Sequence, residues 1–309
     1  MTRILITGAA GMVGRALLAQ LQGQDVIATD IAAQGLPKGT IFRQMDVTGD
    51  DPDQVIGELK PDVVVHLASI VTPAPGMGRD VAFAVDVTGT RNVLAAALKH
   101  GVRRLVVTSS GAAYGYHADN PVPLRETDPC RGNPEFAYAE HKRLVEEMLQ
   151  AARSETPQLE QVILRVGTVL GAGTDNQITA LFRKPRMLAV WGSDSPFVFI
   201  WTQDLAHILK RAATVGPAGV FNVAGDGTMG ITDLARVMNK GVIRLPAWAL
   251  KAALAIAHPL GLSRYGPEQV RFLQYRPVLA NDELKNTFGY VPEKTSSEVF
   301  DLWRREAGL

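Results

Sequence analysis

Three side chains that can take part in proton transfer occur in a characteristic order. Tyr138 and Lys142 are four residues apart in a helical pattern, so they share one face of that helix. An ammonium group favours a neighbouring phenolate, and we expect Lys142 to lower the pKa of Tyr138 from about 10. Ser110 ends an upstream apolar strand, where its hydroxyl can hydrogen-bond a substrate oxygen. We therefore predict that Tyr138 is a general acid/base, assisted by Ser110 and Lys142.

A glycine turn near the start of the chain has the spacing G-x-x-G-x-x-G, at Gly8, Gly11 and Gly14. It joins a short apolar strand to an amphipathic helical pattern. Glycine lets the backbone turn sharply and approach a pyrophosphate, while the first amides of the helix attract phosphate. We predict that this turn binds a dinucleotide, together with Met12 and Val13 at the start of the helix.

A carboxylate follows the second predicted strand, at Asp30, which lies 22 residues after Gly8. It can accept hydrogen bonds from the ribose hydroxyls of an adenosine, and it would repel the additional phosphate of NADP. The predicted cofactor is therefore NAD. Asp46 and Val47 follow a further apolar run. Asp46 either accepts from the adenine amino group or belongs to a turn, and Val47 can pack on the adenine ring.

Short β-branched runs alternate with helical patterns through the first half of the chain, and less regularly after position 167. Predicted strands cover residues 3–7, 25–29, 63–67, 104–108, 161–166, 197–201 and 220–223. Predicted helices cover residues 12–21, 83–100, 136–153, 202–213 and 232–239, and the apolar segment 246–258 is expected to be a buried helix or an interface helix.

This alternation predicts an α/β fold, with a doubly wound parallel (Rossmann) sheet and a smaller α/β substrate lobe. We assign residues 1–167 and 198–224 to the dinucleotide-binding lobe. Residues 168–197 and 225–309 are assigned to the substrate lobe.

The composition excludes several classes of protein. The 309 residues carry a net charge of +1, which is too small a surplus for a dedicated nucleic-acid binder. A single cysteine allows no intrachain disulfide, and the scattered histidines show no metal-ligand spacing. The apolar segment 246–258 is too short to span a bilayer. We therefore expect a cytoplasmic protein with a small-molecule substrate and without metal, membrane or nucleic acid.

Taken together, the chain resembles the extended short-chain dehydrogenases/reductases, in the NAD-dependent epimerase/dehydratase group. The resemblance covers nearly the whole chain. The segments that carry it are Thr7–Gly14, Asp30, Asp46–Val47, His66–Ser69, Gly89–Asn92, Thr108–Gly115, Tyr138 with Lys142, Arg165–Gly171 and Phe199–Ala206.

The resemblance implies a role for each matching residue. Ser110 would polarise the substrate oxygen, Tyr138 would exchange the proton, and Lys142 would bind the nicotinamide ribose. The residues implied to line the cofactor near its nicotinamide half are Leu67, Ala68 and Ser69, and the segment after Val166 would contact the nicotinamide on its other side. Thr108 and Val166 are further predicted cofactor contacts. A homodimer is also implied, in which the helices at 83–100 and 136–153 pair with their copies.

The chain departs from the family pattern at positions that bear on the reaction. Gly111 and Ala112 replace the acidic pair of the dehydratases, so dehydration by that mechanism is not expected. Thr168 and Phe197 replace an asparagine and an arginine that bind nucleotide sugars in many epimerases, and we predict that both contact the substrate. Asp86 replaces an asparagine that is usually a fourth catalytic residue.

These observations favour an NAD-dependent oxidoreductase that transfers hydride between nicotinamide and a substrate alcohol or carbonyl, with Tyr138 as acid/base. The alternative is a nucleotide-sugar (UDP-sugar-like) 4-epimerase with tightly bound NAD, for which Arg183, Lys184, Arg186 and Arg276 are candidate diphosphate ligands. These cations could instead belong to the solvated surface, an interpretation that we favour for Arg183 and Lys184. The apolar composition of the substrate lobe favours the oxidoreductase over the epimerase. A third possibility is a regulator that binds NAD without turnover, against which the intact catalytic residues argue.

Overall fold

The structure is a computed structural model that describes residues 2–72, 76–263 and 266–309. The strands are β1 (Arg3–Thr7), β2 (Asp25–Asp30), β3 (Ile41–Gln44), β4 (Val63–His66), β5 (Arg104–Ser110), β6 (Glu160–Val166), β7 (Thr168–Leu170), β8 (Arg186–Val190), β9 (Phe199–Trp201), β10 (Gly219–Val223) and β11 (Gly241–Leu245).

The α-helices alternate with these strands and continue after the last of them. They are α1 (Met12–Gln20), α2 (Asp51–Leu59), α3 (Arg79–Phe83), α4 (Gly89–Lys99), α5 (Ala137–Glu155), α6 (Gln177–Phe182), α7 (Thr202–Thr214), α8 (Ile231–Val237), α9 (Ala247–Ala257), α10 (Gln269–Gln274), α11 (Asp282–Asn286) and α12 (Ser296–Glu306). A π-helical turn at Ala84–Thr88 joins α3 to α4.

Seven strands form one sheet in the order β10-β6-β5-β4-β1-β2-β3, and all of its pairs are parallel. This confirms the predicted doubly wound α/β fold. The chain order reverses between β1 and β4, and in such sheets ligands bind beyond the carboxyl ends of the strands at that reversal. Two further parallel pairs, β8 with β11 and β7 with β9, lie outside the large sheet.

Apolar side chains cover both faces of the large sheet, as a parallel sheet requires. Leu17 of α1 and Leu209 of α7 belong to one buried cluster, and Ile56 of α2 and Leu149 of α5 belong to the other. A third cluster surrounds Phe182 and joins residues of β8, β9, α6, α8 and α12. The irregular second half of the chain therefore has an apolar core of its own.

Most predicted elements are present, with bounds that differ by a few residues. Two depart further from the prediction, one in its bounds and one in its burial. The helix predicted at 83–100 begins at Arg79 and contains the π-helical turn. For the segment 246–258 the buried alternative was wrong, because Leu250 is the single buried residue of α9. The interface helix stays a prediction. Strand β3 is among the elements that were not predicted, because it has only four residues and is largely exposed.

In the described part of the chain, one helical segment, Arg79–Lys99, is long and apolar enough to cross a membrane by length and composition alone. Of the most apolar 18 residues in this segment, 50% are buried inside the protein. Val93 and Ala97 lie in the same core cluster as Ile56. The segment therefore packs here as a core helix.

A buried ion pair fixes α5 against the sheet. The Arg165 guanidinium on β6 contacts both carboxylate oxygens of Glu146 on α5, at 3.0 Å each. The same guanidinium donates to the hydroxyl of Tyr114, at 2.8 Å, and to the carbonyl of Glu126, at 2.9 Å. Because α5 also carries Tyr138, this pair helps to set the position of the predicted acid/base.

Replacing Glu146 with glutamine should destabilise the protein by roughly 3–5 kcal/mol, because it leaves the Arg165 charge buried without its counterion. The measurement is the free energy of unfolding in urea. Lys99→Met is the matched control, since it breaks an ion pair with Asp53 in which both side chains are exposed, and its effect should be much smaller. Equal effects of the two substitutions would contradict this interpretation.

Candidate functional site

A cavity of about 1300 Å³ lies at the carboxyl ends of the central strands. Many of the residues predicted from the sequence line it. They are Met12, Val13, Leu67, Ser69, Thr108, Ser110, Tyr138, Lys142, Val166, Thr168 and Phe197. The structure therefore brings the predicted catalytic residues, two predicted substrate contacts and much of the predicted cofactor site to one space.

The glycine turn lies beside this cavity and is closely packed. Gly8 has a φ of +65°, and a Cβ atom there would lie 2.6 Å from the amide nitrogen of Ala68. A Cβ atom at Gly14 would lie 2.6 Å from the Cα atom of Ala9. Only glycine fits the turn at Gly8, because the backbone of residues 67–68 approaches it so closely.

The first turn of α1 faces the cavity through Met12 and Val13. Its N-cap is Gly11, and no side chain caps the helix. The first amides of an uncapped helix, with the positive end of its dipole, form a suitable site for phosphate. These features fit the pyrophosphate of a dinucleotide.

The Asp30 carboxylate is fixed at the end of β2. One oxygen accepts from the amide of Ala10, at 3.0 Å, and the other accepts from the amide of Ile31, at 2.8 Å. Each oxygen keeps further acceptor capacity. The position is therefore suited to the hydroxyls of a ribose whose phosphate lies at the glycine turn.

Asp46 and Val47 take part in local packing. One carboxylate oxygen of Asp46 accepts from the amide of Thr48, at 2.9 Å, and from its hydroxyl, at 2.8 Å. Val47 is buried, and a Cβ atom at Gly89 would lie 2.6 Å from its Cγ2 atom. These contacts account for both residues without a ligand, so their contacts with adenine stay predictions.

The His66 side chain fixes the end of β4, which leads into the backbone of residues 67–68 that packs against Gly8. Its Nδ1 lies 2.7 Å from the Thr7 hydroxyl, and its Nε2 lies 3.0 Å from the Thr90 hydroxyl. The Thr90 hydroxyl donates its proton to the carbonyl of Asp86, so its oxygen accepts from His66. The ring proton of His66 therefore lies on Nε2, and Nδ1 accepts from the Thr7 hydroxyl. Burial lowers the pKa of His66 to about 3, and the ring is therefore neutral.

Tyr138 and Lys142 lie side by side, with the Lys142 ammonium 5.7 Å from the centre of the Tyr138 ring. The ammonium donates to the Thr108 carbonyl, at 2.9 Å. Burial raises the pKa of Tyr138 to about 12, although its interaction with the Ser110 side chain opposes the shift. The predicted lowering of this pKa was therefore wrong, because loss of hydration outweighs the favourable contacts.

Ser110 is oriented by the chain that follows it. Its side-chain oxygen accepts from the amide of Ala112, at 3.1 Å, and so caps the short 3₁₀ turn Gly111–Tyr114. In the sheet, Ser110 pairs with Val166 at the end of β6. The hydroxyl is thus held at the strand ends, on the same cavity wall as Tyr138.

A buried pair that the sequence did not reveal lies behind Lys142. One oxygen of Asp86 accepts from Ser69 Oγ and from the amide of Ile70, each at 2.8 Å. The other lies 3.0 Å from His141 Nδ1. Burial tends to raise the pKa of Asp86, but the charge of Lys142 and the hydrogen bonds from His141, Ile70 and Ser69 together lower it. No local spacing signals this pair, because its members are 55 residues apart in the chain.

Arg276 supplies a buried cation to the cavity wall. Its guanidinium carbon lies 3.9 Å from the centre of the Phe197 ring and 4.7 Å from that of Phe272. It donates to the oxygens of Ser195, and its Nε has no hydrogen-bond partner. Among the described residues no carboxylate forms an ion pair with it. Burial lowers the pKa of Arg276 to about 9.

The three other basic residues considered for a diphosphate are exposed. Arg183 lies over the ring of Trp303, with its guanidinium carbon 5.9 Å from the ring centre. Lys184 and Arg186 line the cavity, although both are exposed to solvent. Of the four candidate cations, Arg276 is thus the buried one.

Comparisons with known proteins agree with this geometry. The sequence model of the NAD dependent epimerase/dehydratase family matches residues 4–224. An uncharacterised protein of Mycobacterium tuberculosis is 28% identical over 320 residues, which cover 99% of this chain and 84% of the relative. The decarboxylating sterol-4-alpha-carboxylate 3-dehydrogenase of Saccharomyces cerevisiae is 32% identical over 196 residues, which cover 60% of this chain and 54% of that enzyme.

A solved structure with the same fold is the UDP-glucose 4-epimerase of Thermus thermophilus in complex with NAD. The two structures share a TM-score of 0.73 at 22% sequence identity, over 99% of this chain and 98% of the epimerase. This likeness shows a common fold and leaves the reaction open. The family match covers well over half of the chain, and the chain belongs to the NAD-dependent epimerase/dehydratase family.

Proposed function

We propose that the protein is an NAD-dependent oxidoreductase that interconverts a hydroxyl and a carbonyl group on a small-molecule substrate. The observation that carries this proposal is that Ser110, Tyr138 and Lys142 meet in one cavity beside the glycine turn. When bound, NAD supplies the hydride acceptor, and its reduced form supplies the hydride donor.

The cofactor site that we propose begins at the glycine turn. Gly8, Gly11 and Gly14 allow the pyrophosphate to approach the backbone, while Asp30 accepts from the adenosine ribose. The remaining proposed contacts are Met12, Val13, Asp46, Val47, Leu67, Ala68, Ser69, Thr108, Tyr138, Lys142 and Val166. On this proposal, residues 1–167 and 198–224 hold the cofactor, and residues 168–197 and 225–309 hold the substrate.

The pKa of Tyr138 bears on the protonation state in which it begins the proposed reaction. At neutral pH the phenol is protonated, since its pKa is about 12. In the reducing direction, Tyr138 donates this proton to the substrate's carbonyl oxygen, and the resulting phenolate is stabilised by the nearby Lys142 ammonium. Ser110 donates a second hydrogen bond to the same oxygen, and the oxidising direction reverses these transfers.

The cavity wall indicates the substrate class. Beyond the catalytic residues it is mainly apolar, with the side chains of Leu181, Met187, Leu188, Ile231, Leu250, Leu254, Phe272 and Leu273. Arg276 is a buried cation without an acidic partner in the described part of the chain, so a negatively charged substrate group would stabilise it. We therefore propose a substrate with an apolar body and one anionic group. A sterol carboxylate, as in the name of the yeast relative, has this combination.

A nucleotide-sugar 4-epimerase is the second candidate. Lys184 and Arg186 line the cavity, so together with Arg276 they provide three cations for a diphosphate. The exposure of Lys184 and Arg186 argues for the first candidate, because a solvated cation contributes less to binding than a buried one.

The family resemblance also leads us to propose a homodimer through α4 and α5. Ala95 is exposed on α4, and Leu98, Leu144 and Met148 are half-buried. The last three pack against the core, so the outward apolar area of the two helices is modest. The proposal is tested by the mass of the protein in solution.

Tyr138→Phe should lower the turnover number by about 10²–10⁴-fold, because it removes the proton donor and keeps the ring. The measurement is the change in nicotinamide absorbance over a panel of apolar hydroxy acids and their neutral amides. NAD affinity should change little, because phenylalanine keeps the ring of Tyr138 beside the cofactor and removes only its hydroxyl. Tyr116→Phe is the matched control, since Tyr116 also lines the cavity, and it should retain turnover. Full biological function of Tyr138→Phe would favour the regulator instead.

Gly8→Ala should abolish NAD binding measured by calorimetry. A Cβ atom would force apart the turn and Ala68, whose nitrogen it meets at 2.6 Å. Gly23→Ala is a matched control, because Gly23 also has a positive φ, of +80°, but has open space around it. That variant carries only the backbone strain, about 1–2 kcal/mol, and should bind NAD normally. Equal affinity in both variants would refute the proposed turn contact.

A further inference from the structure

Helix α9 is apolar on two opposite faces. Its inner face carries Leu250 and Leu254, which line the cavity. Its outer face carries Trp248, Ala252 and Ile256, spaced at four-residue intervals and all exposed. The exposed fraction is 74% for Trp248 and 65% for Ile256. A helix on a protein surface normally presents polar residues outward.

The exposed apolar residues continue on both sides of this helix. We define the α9 surface as the large apolar side chains that are exposed within residues 243–262. They are Ile243, Leu245, Trp248, Ile256, Leu260 and Leu262. Single exposed apolar residues are ordinary on proteins. A concentration of them in one segment marks an interaction surface.

The segment that forms this surface carries charge of one sign. Residues 243–262 contain Arg244 and Lys251 and no aspartate or glutamate, in a chain whose net charge is only +1. Arg244 lies between Ile243 and Leu245, and Lys251 lies on α9 itself. Both side chains are exposed. A partner that fits this surface therefore has apolar and negatively charged groups side by side.

We propose that the α9 surface binds the surface of an anionic lipid bilayer. Tryptophan is enriched at the boundary between lipid headgroups and acyl chains, and lysine can extend its charge to the headgroups. The helix has 11 residues, and at about 1.5 Å per residue it is too short to cross an apolar layer of about 30 Å. It would lie in the plane of the headgroups.

The composition of the surface favours lipid over a second protein chain. Lysine is depleted in the centre of protein interfaces, and here Lys251 lies one turn from Trp248 on α9. In a bilayer, anionic headgroups can pair with the Lys251 ammonium while the Trp248 indole packs at the boundary with the acyl chains. The opposite face of α9 lines the cavity, so one helix would separate the bilayer from the substrate site. This inference goes beyond the proposed reaction and does not depend on it.

The test is sedimentation of the full-length protein with vesicles. Binding is expected to phosphatidylcholine vesicles that contain phosphatidylglycerol, and much less to phosphatidylcholine alone. Trp248→Ser with Ile256→Ser should abolish it. Arg244→Gln with Lys251→Gln should weaken it by roughly fivefold for each charge removed. The control is Val215→Ser with Val291→Ser, because these valines are 74% and 66% exposed and lie outside the surface.

The fold of each variant is checked by thermal unfolding and by NAD binding, since none of the substituted residues lines the cavity. If the serine variant unfolds, the test uses the native protein instead: vesicles with brominated lipid should quench its tryptophan fluorescence. Trp248→Phe should reduce that quenching. Absence of sedimentation of the native protein, or equal binding to both vesicles, would overturn the proposal. So would a native dimer that dissociates in the serine variant without any binding to vesicles.

Discussion

The ammonium group of Lys142 is buried, and the arrangement of the site depends on how the fold stabilises that charge. An unpaired buried cation is costly, so it requires an acceptor and a nearby negative charge. The Thr108 carbonyl at the end of β5 provides the acceptor, at 2.9 Å. Asp86 and Glu146 provide the negative charges, which oppose the lowering of the Lys142 pKa by burial. One ammonium thereby ties α5 to the strand that carries Ser110.

The same requirement explains why Asp86 is held so firmly. Its carboxylate is buried, and hydrogen bonds from Ser69, from the Ile70 amide and from His141 occupy both of its oxygens. These bonds join the segment after β4, the π-helical turn and α5 at one point. An asparagine, as the family pattern would have here, could accept some of these bonds but would not balance the Lys142 charge. The substitution thus changes the electrostatics of the site more than its shape.

The sequence was informative where function depends on local spacing. The glycine turn, the pair Tyr138 and Lys142, and the strand ending in Ser110 are each signalled within a few residues. The structure places the last two on the wall of one cavity and the glycine turn beside it. The direction of the Tyr138 pKa shift was not predictable, because it depends on burial by distant elements. The contacts of Asp86 with His141 and of Arg276 with Phe197 also join segments far apart in sequence, which no single pattern connects.

The proposed dehydrogenase converts its cofactor in each turnover, so NAD(H) must exchange with the solution. The measurement is the nucleotide released from purified, denatured protein, compared with the nucleotide that the native protein exchanges. We expect NAD(H) that binds reversibly, with no NADP(H). Bound NADP(H) would contradict the role of Asp30. Near-stoichiometric NAD that does not exchange would contradict the dehydrogenase and point to the epimerase, which regenerates its cofactor in every turnover.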